Sequence, residues 1–169
     1  MATIDVGPGA TNRSSYANTP ANYTFIDRNN AANDTGTLDT FEIYAYEKMS
    51  NVKMGTFYYD NPYYPNRDYE SIGSVTAGSK QTFTGKNCDV KSGDYLGIGA
   101  TGGKLERDTS GYSSYVIDDA DDFGTSNFQV QSSLSGDALS IYATGETAAA
   151  GSLPLKNVFN RPFHHMLIR

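Results

Sequence analysis

A phrase that occurs twice constrains the fold of this chain more than any other feature. Residues 92–102 are Ser-Gly-Asp-Tyr-Leu-Gly-Ile-Gly-Ala-Thr-Gly, and residues 135–145 are Ser-Gly-Asp-Ala-Leu-Ser-Ile-Tyr-Ala-Thr-Gly. In each copy, Leu and Ile alternate with small or aromatic residues, and turn residues stand at both ends. This pattern, with its period of two, predicts a half-buried strand. We expect the two copies to occupy equivalent inner positions of packed sheets. The alternative is that the likeness is a coincidence, because strands and turns reuse the same few residue types.

Composition and turn spacing extend this prediction to the whole chain. The chain has 169 residues, which suits one domain, and 17 of them are glycine. Turn signals recur about every eight to twelve residues, and helical periodicity is missing before the C-terminus. We predict an all-β fold, an antiparallel β-sandwich of the jelly-roll type, with about ten short strands. Residues 10–21 are predicted to be a surface loop, and residues 104–107 a polar edge strand.

Charge and motifs exclude several function classes. The net charge of -6 argues against nucleic acid as a partner, because phosphate binding needs a basic face. The sequence has no apolar run of the kind that predicts membrane insertion. Its first residues lack a signal-peptide pattern, so we expect that the protein is made without a signal peptide. The single cysteine, Cys88, and the adjacent pair His164 and His165 fit no catalytic or zinc pattern. We predict no enzyme activity and no required cofactor.

The densest acidic segment is a candidate calcium site. Four carboxylates, those of Asp118, Asp119, Asp121 and Asp122, lie within five positions. Calcium takes six to eight oxygen ligands, but the segment lacks the alternation and the glycine of an EF-hand loop. A solvated acidic loop is the alternative interpretation.

A tyrosine-rich segment is a candidate ligand loop. It holds five of the 13 tyrosines, namely Tyr58, Tyr59, Tyr63, Tyr64 and Tyr69. Tyrosine combines a rigid apolar ring with a hydrogen-bonding tip, so such a loop could stack on the sugar rings of glycans. Stiffening of the loop and contact with another subunit are the alternatives.

The last part of the chain differs from the rest in both charge and hydropathy. Residues 146–169 hold three bases and one acid, against ten bases and eighteen acids in residues 1–145. We therefore divide the chain into a β-sandwich domain, residues 1–145, and an apolar, basic C-terminal arm, residues 146–169. The arm either folds back on its own domain or docks on a neighbouring acidic subunit. Its predicted assembly residues are Leu153, Leu155, Val158, Phe159, Arg161, Phe163, Met166, Leu167 and Ile168.

Four segments carry a resemblance to a known kind of domain: residues 22–27, 73–80, 93–98 and 103–112. Together they resemble a β-rich, jelly-roll-like domain of uncharacterised phage-encoded or environmental structural proteins, over roughly residues 3–145. The shared phrases consist of turns and strands and carry no catalytic residues. The resemblance implies a module on a virion or other extracellular assembly.

These observations predict a non-enzymatic structural protein. We expect it to self-assemble, or to decorate a larger particle or filament as a capsid decoration, tail or fibre component. Its partners would be further copies of itself or other virion or filament subunits, reached through the C-terminal arm. The alternative is a carbohydrate-binding module that uses the tyrosine-rich loop.

Overall fold

Two antiparallel sheets pack face to face and form a β-sandwich, which confirms the predicted fold class. The computed structural model describes residues 2–148, and these contain fourteen strands and no helix. Several strands have only two to four residues, too few to show alternation in the sequence, which is why fewer were predicted. The strands are β1 (Thr3–Val6), β2 (Ser15–Asn18), β3 (Tyr23–Asp27), β4 (Gly36–Glu47), β5 (Met49–Phe57), β6 (Asn66–Val75), β7 (Lys80–Phe83), β8 (Cys88–Val90), β9 (Tyr95–Ala100), β10 (Lys104–Asp108), β11 (Ser114–Asp118), β12 (Ser132–Ser135), β13 (Ala138–Leu139) and β14 (Ile141–Thr147).

The strand order corrects two local predictions. One sheet has the order β1-β14-β4-β10-β13, with β2 paired to β10 and with β7 and β8 paired to β4; the other has the order β12-β11-β3-β9-β5-β6. The predicted edge strand, β10, pairs with β4, β2 and β13, so its polar residues misled the prediction. The predicted loop at residues 10–21 contains β2, whose Ala17 is buried.

The six-stranded sheet is buried on both faces. Its inner face contributes Phe25 and Tyr115 to the main core between the sheets. The next residues along the same strands, Ile26 and Val116, face the opposite way and join a second apolar cluster. Side chains of the segment between β11 and β12 complete that cluster, which therefore forms a small core on the outer face of this sheet.

Two glycines in β9 make room for the second cluster. The ring of Phe57 occupies the space that a Cβ on Gly97 would need. A Cβ on Gly99 would lie 2.9 Å from the ring of Phe123. The Gly-x-Gly pattern in the first copy of the repeated phrase is thus a packing requirement of the aromatic rings that cover this strand.

The two copies of the repeated phrase have matching structures, as predicted. The turn at the start of each copy contains a glycine with positive φ, Gly93 at 90° and Gly136 at 83°. The first copy leads into β9 of one sheet, and the second leads into β13 and β14 of the other. The aspartate, leucine and isoleucine of each copy are buried: Asp94, Leu96 and Ile98 in the first, Asp137, Leu139 and Ile141 in the second.

Each buried aspartate of the repeat pairs with an arginine from another strand. The Arg67 guanidinium donates two hydrogen bonds to Asp94, the longer at 2.9 Å, and the Lys91 backbone N–H donates a third to the same carboxylate. Asp137 accepts a bond of 3.0 Å from Arg107. A carboxylate out of contact with water needs such partners, so each turn is tied to the rest of the sandwich.

Side chains occupy the outer edges of three strands. Asn33 bonds both the Asp5 N–H and the Thr3 carbonyl of β1, at 3.0 and 3.3 Å. Lys86 reaches the Ser71 carbonyl of β6 at 3.0 Å, and the Asp27 carboxylate accepts the Leu139 N–H of β13 at 2.7 Å. Within residues 2–148, no strand pairs with the outer edge of β12, whose sequence Ser-Ser-Leu-Ser has no charge and no proline.

Replacing the repeat aspartates tests the role of these pairs. Asp94→Asn should lower the free energy of unfolding by about 2–4 kcal/mol, because a buried arginine pair loses its charge partner. Asp137→Asn should cost less, since Asp137 makes one bond to its arginine where Asp94 makes two. The exposed Asp60→Asn serves as the matched control and should change little. Chemical denaturation measures the free energy of unfolding of the three variants and so gives their order of stability. Equal stability of Asp94→Asn and Asp60→Asn would contradict the prediction.

Candidate functional site

The predicted tyrosine loop is divided among three places. Tyr59, Tyr63 and Tyr64 lie in the connection between β5 and β6. Tyr58 lies under the Arg67 guanidinium, 4.7 Å from the ring centre. Tyr69 belongs to β6 and packs against Phe123 at 5.6 Å between ring centres. Tyr58 belongs to the same connection, but its ring faces Arg67, and Tyr69 alone of the five lies outside that connection.

The connection between β5 and β6 is held in shape by its backbone and by a buried ring. Asp60 and Tyr63 exchange two backbone hydrogen bonds of 2.9 and 2.8 Å. Tyr64 is buried and packs against Phe128 of the second apolar cluster, with ring centres 5.7 Å apart. Tyr59 and Tyr63 remain exposed at the tip. Tyr64 thus anchors the loop, and two rings are left for contact with a partner.

The predicted calcium segment is likewise divided. Asp118 is buried and accepts the Gln129 N–H at 2.7 Å, and the buried Asp122 lies beside it. Asp121 turns outward and pairs with Lys53 at 2.5 Å, while Asp119 is exposed. Residues 2–148 contain no group of three or more His, Cys, Asp or Glu side chains placed to hold a metal ion.

Two buried carboxyl groups hold their protons unusually tightly. Burial raises the pKa of Asp122 to about 7, and the charge of Asp118 and a hydrogen bond with it act in the same direction. One oxygen of Asp122 has no hydrogen-bond partner. Burial also raises the pKa of Asp27 to about 6, although backbone hydrogen bonds from Leu139 and Asn29 oppose it. Both groups therefore keep a proton to a higher pH than an exposed aspartate would.

A recess with both apolar and polar lining residues is the site that the sequence did not predict. It has a volume of about 110 Å³ and lies on the outer face of the six-stranded sheet, where four segments meet. Its lining residues are Asn22, Tyr23, Asn51, Lys53, Gly99, Ala100, Thr101, Asp121 and Phe123. They share no motif and come from distant parts of the chain, so no sequence spacing could have identified them.

The two asparagines of the recess have an unusual backbone. Asn22 has a φ of 65° and Asn51 a φ of 49°, and among residues 2–148 no other residue except glycine has a positive φ. Asn51 also donates a hydrogen bond of 2.9 Å to the Thr101 hydroxyl. Left-handed backbone at residues with side chains is concentrated at turns and at ligand sites. The recess therefore joins two asparagines of left-handed backbone with several polar groups.

Other predicted residues contribute less. Cys88 is buried, and burial raises the pKa of its thiol to about 12, so it has little thiolate available for chemistry. Both histidines lie outside the described residues. So do all the predicted assembly residues, Leu153, Leu155, Val158, Phe159, Arg161, Phe163, Met166, Leu167 and Ile168.

Comparison with known proteins does not assign a function to this chain. No protein-family model matches the chain, and no curated protein is significantly similar to it. Residues 2–148 contain no helix of the length and hydropathy that crossing a bilayer requires. The function must therefore be argued from the residues described above.

The raised carboxyl pKa values predict that stability falls as the pH rises. The unfolded aspartates titrate near pH 4, so between about pH 4 and 7 the folded state binds more protons than the unfolded state. The melting temperature should be higher at about pH 5 than at about pH 8. Asp122→Asn cannot ionise and can donate a bond to Asp118, so at about pH 8 it should be more stable than the wild type by about 1 kcal/mol after allowance for solvent screening.

Thermal unfolding of both proteins across this pH range measures the effect. Asp60→Asn, which alters an exposed carboxylate in the connection between β5 and β6, is the control, and its melting temperature should depend on pH as that of the wild type does. If the melting temperatures of Asp122→Asn and of the wild type depend on pH in the same way, Asp122 is not a source of the effect and the prediction is contradicted.

Proposed function

We propose that this chain is a non-enzymatic structural subunit that assembles by docking the C-terminal segment of one copy on the sandwich of the next. The observation that carries this proposal is the uncovered outer edge of β12. An exposed strand edge presents unpaired N–H and C=O groups, and an added strand satisfies them. The edge has four residues, which suits the addition of one segment and limits open-ended growth of the sheet.

Apolar surface beside this edge supports the same interpretation. Val130, two residues before β12, is 43% exposed, and with Pro62 and Tyr63 it lines a shallow recess. An apolar segment that adds a strand to β12 could place side chains there, because alternate residues of a strand point to one face. Tyr63, a member of the predicted ligand loop, becomes a protein contact in this arrangement.

The segment after residue 148 suits this surface in composition and charge. It carries three bases and no acid, while residues 1–148 carry ten bases and nineteen acids. Opposite charges on the two surfaces would speed encounter and favour one register. Its 21 residues span up to about 70 Å when extended, which is enough to reach a neighbouring molecule.

The kind of assembly is inferred from the segments that resemble phage-encoded structural domains. They favour a virion or other extracellular particle, in which this chain would act as a capsid decoration, tail or fibre component. Use of the buried carboxylates as structural anchors is consistent with a scaffold, since each accepts bonds from the protein itself. The poor availability of the Cys88 thiolate supports the non-enzymatic part of the proposal.

Adding a charge to the edge tests the proposal in the full-length chain. Ser132→Lys places a lysine on β12, and an edge lysine discourages the pairing of strands. We expect the full-length wild type to form oligomers, and Ser132→Lys to weaken their association by about tenfold or more. Ser126→Lys adds the same charge at an exposed loop position and should leave association unchanged. Mass photometry and light scattering measure the masses.

A second variant separates the segment from the edge. A chain that ends at Ala148 keeps all fourteen strands of residues 2–148, and we expect it to be monomeric while retaining the unfolding transition of the parent. A monomeric full-length wild type at micromolar concentration would overturn the proposal. Oligomers of the same mass in the wild type, in Ser132→Lys and in the shortened chain would also overturn it.

A further inference from the structure

The recess bounded by Asn22, Asn51, Lys53 and Asp121 has the chemistry of a ligand site, and it is separate from β12. It opens on the outer face of the six-stranded sheet, among β3, β5, β9 and the segment that follows β11. Strand β12 lies at the end of that sheet, with β11 between it and β3. A function of the recess would therefore be additional to assembly.

The polar groups of the recess include both donors and acceptors. The Asn22 amide can donate and accept, Lys53 donates and Asp121 accepts. Asn51 already donates to the Thr101 hydroxyl, which donates to the Ser50 carbonyl, so the Asn51 carbonyl is the open group of that pair. A hydroxyl group also donates and accepts, so a ligand with several adjacent hydroxyl groups could use the donors and acceptors that stay open.

The charges of the recess favour a neutral ligand. Lys53 and Asp121 form an ion pair of 2.5 Å, and each is partly exposed. A free anion that approached Lys53 would also meet the negative charge of Asp121, and a free cation that approached Asp121 would also meet the positive charge of Lys53, so the partner's charge opposes each. A neutral molecule can bond the open sides of both groups and leave the pair intact.

An aromatic ring lines the recess beneath the polar groups. It belongs to Phe123, and the neighbouring Gly99 has no side chain to fill the space beside it. The Lys53 ammonium lies 5.8 Å from the Phe123 ring centre and 5.7 Å from that of Tyr69. The apolar C–H groups of a sugar pack well against such rings, which gives the site an apolar side and a polar side.

The size of the recess limits the ligand to one ring. Its volume of about 110 Å³ equals the share of roughly four water molecules in the liquid. It is also smaller than the roughly 300–1,000 Å³ of sites for drug-sized ligands. A single sugar ring could insert one edge and leave its opposite edge in solvent.

We propose that this recess binds one neutral saccharide ring, either free or at the end of a glycan, with its hydroxyl groups on Asn22, Asn51, Lys53 and Asp121. The left-handed backbone of the two asparagines presents their amides at the rim. This site lies outside the tip of the tyrosine loop, so the two surfaces can be tested separately.

The test uses the full-length protein and a panel of free neutral monosaccharides: glucose, galactose, mannose, fucose, N-acetylglucosamine and N-acetylgalactosamine. Saturation-transfer NMR detects binding, and amide chemical shifts locate it. We expect at least one sugar to bind and to shift the amides of Asn22, Asn51 and Thr101. A glycan array then distinguishes a free sugar from a glycan terminus, and both outcomes support the site.

Two glycine variants keep the backbone and remove one amide each. Asn22→Gly and Asn51→Gly are compatible with positive φ, and each should weaken sugar binding by about tenfold, the effect of about 1.4 kcal/mol. Asp121→Asn should weaken it too, while Tyr63→Ala at the loop tip is the matched control and should not. Amide spectra confirm that each variant is folded.

The proposal is overturned if no sugar in the panel shifts the amides of the recess, or if binding is equal in the wild type and both glycine variants. Loss of binding in Tyr63→Ala with no loss in the glycine variants would move the site to the tyrosine loop and would also overturn it. None of these outcomes depends on the oligomeric state, so the assembly proposal stands or fails separately.

Discussion

Hydrogen bonding at strand edges is the constraint on which the rest of this structure depends. A buried or half-buried backbone needs a partner for each N–H and C=O group, and residues 2–148 contain no helix to cover the rims of the sheets. Side chains do this instead: Asn33 on β1, Lys86 on β6 and Asp27 on β13. The outer edge of β12 pairs with no strand among residues 2–148, and the assembly proposal rests on that open edge.

The same need for hydrogen-bond partners explains why several carboxylates are buried in this fold. Asp94 and Asp137 tie the two repeated turns to arginines on other strands, and Asp27 ties the end of β3 to β13. Each carboxylate exchanges water for protein donors, which costs desolvation and specifies one arrangement of the turns. The raised pKa values of Asp27 and Asp122 result from this burial.

The sequence predicted the features that depend on local alternation and on turn residues. The two copies of the repeated phrase became strands with buried Leu and Ile, and the antiparallel sandwich followed from the spacing of the turns. It did not predict which strands lie at edges, because β10 has polar residues on a strand that is paired on both sides. An edge strand differs from a central strand in how many neighbouring strands it pairs with, and a local sequence pattern does not contain that information.

The sites show the same limit. The five tyrosines are close in sequence, yet β5 and β6 direct them to three places. The recess, in contrast, joins four distant segments, and its signal is the left-handed backbone of Asn22 and Asn51. Asparagine tolerates that conformation better than most residues, so these positions looked like ordinary turns in the sequence.

Hydrogen exchange of the β12 amides, followed as the concentration of the full-length protein increases, tests the central claim most directly. If β12 receives a strand from a second molecule, the amides of residues 132–135 should exchange more slowly at high concentration, while those of β9 stay equally protected at all concentrations. If the amides of residues 132–135 exchange at one rate across the range in which oligomers form, the edge of β12 is not the assembly surface and the account is contradicted.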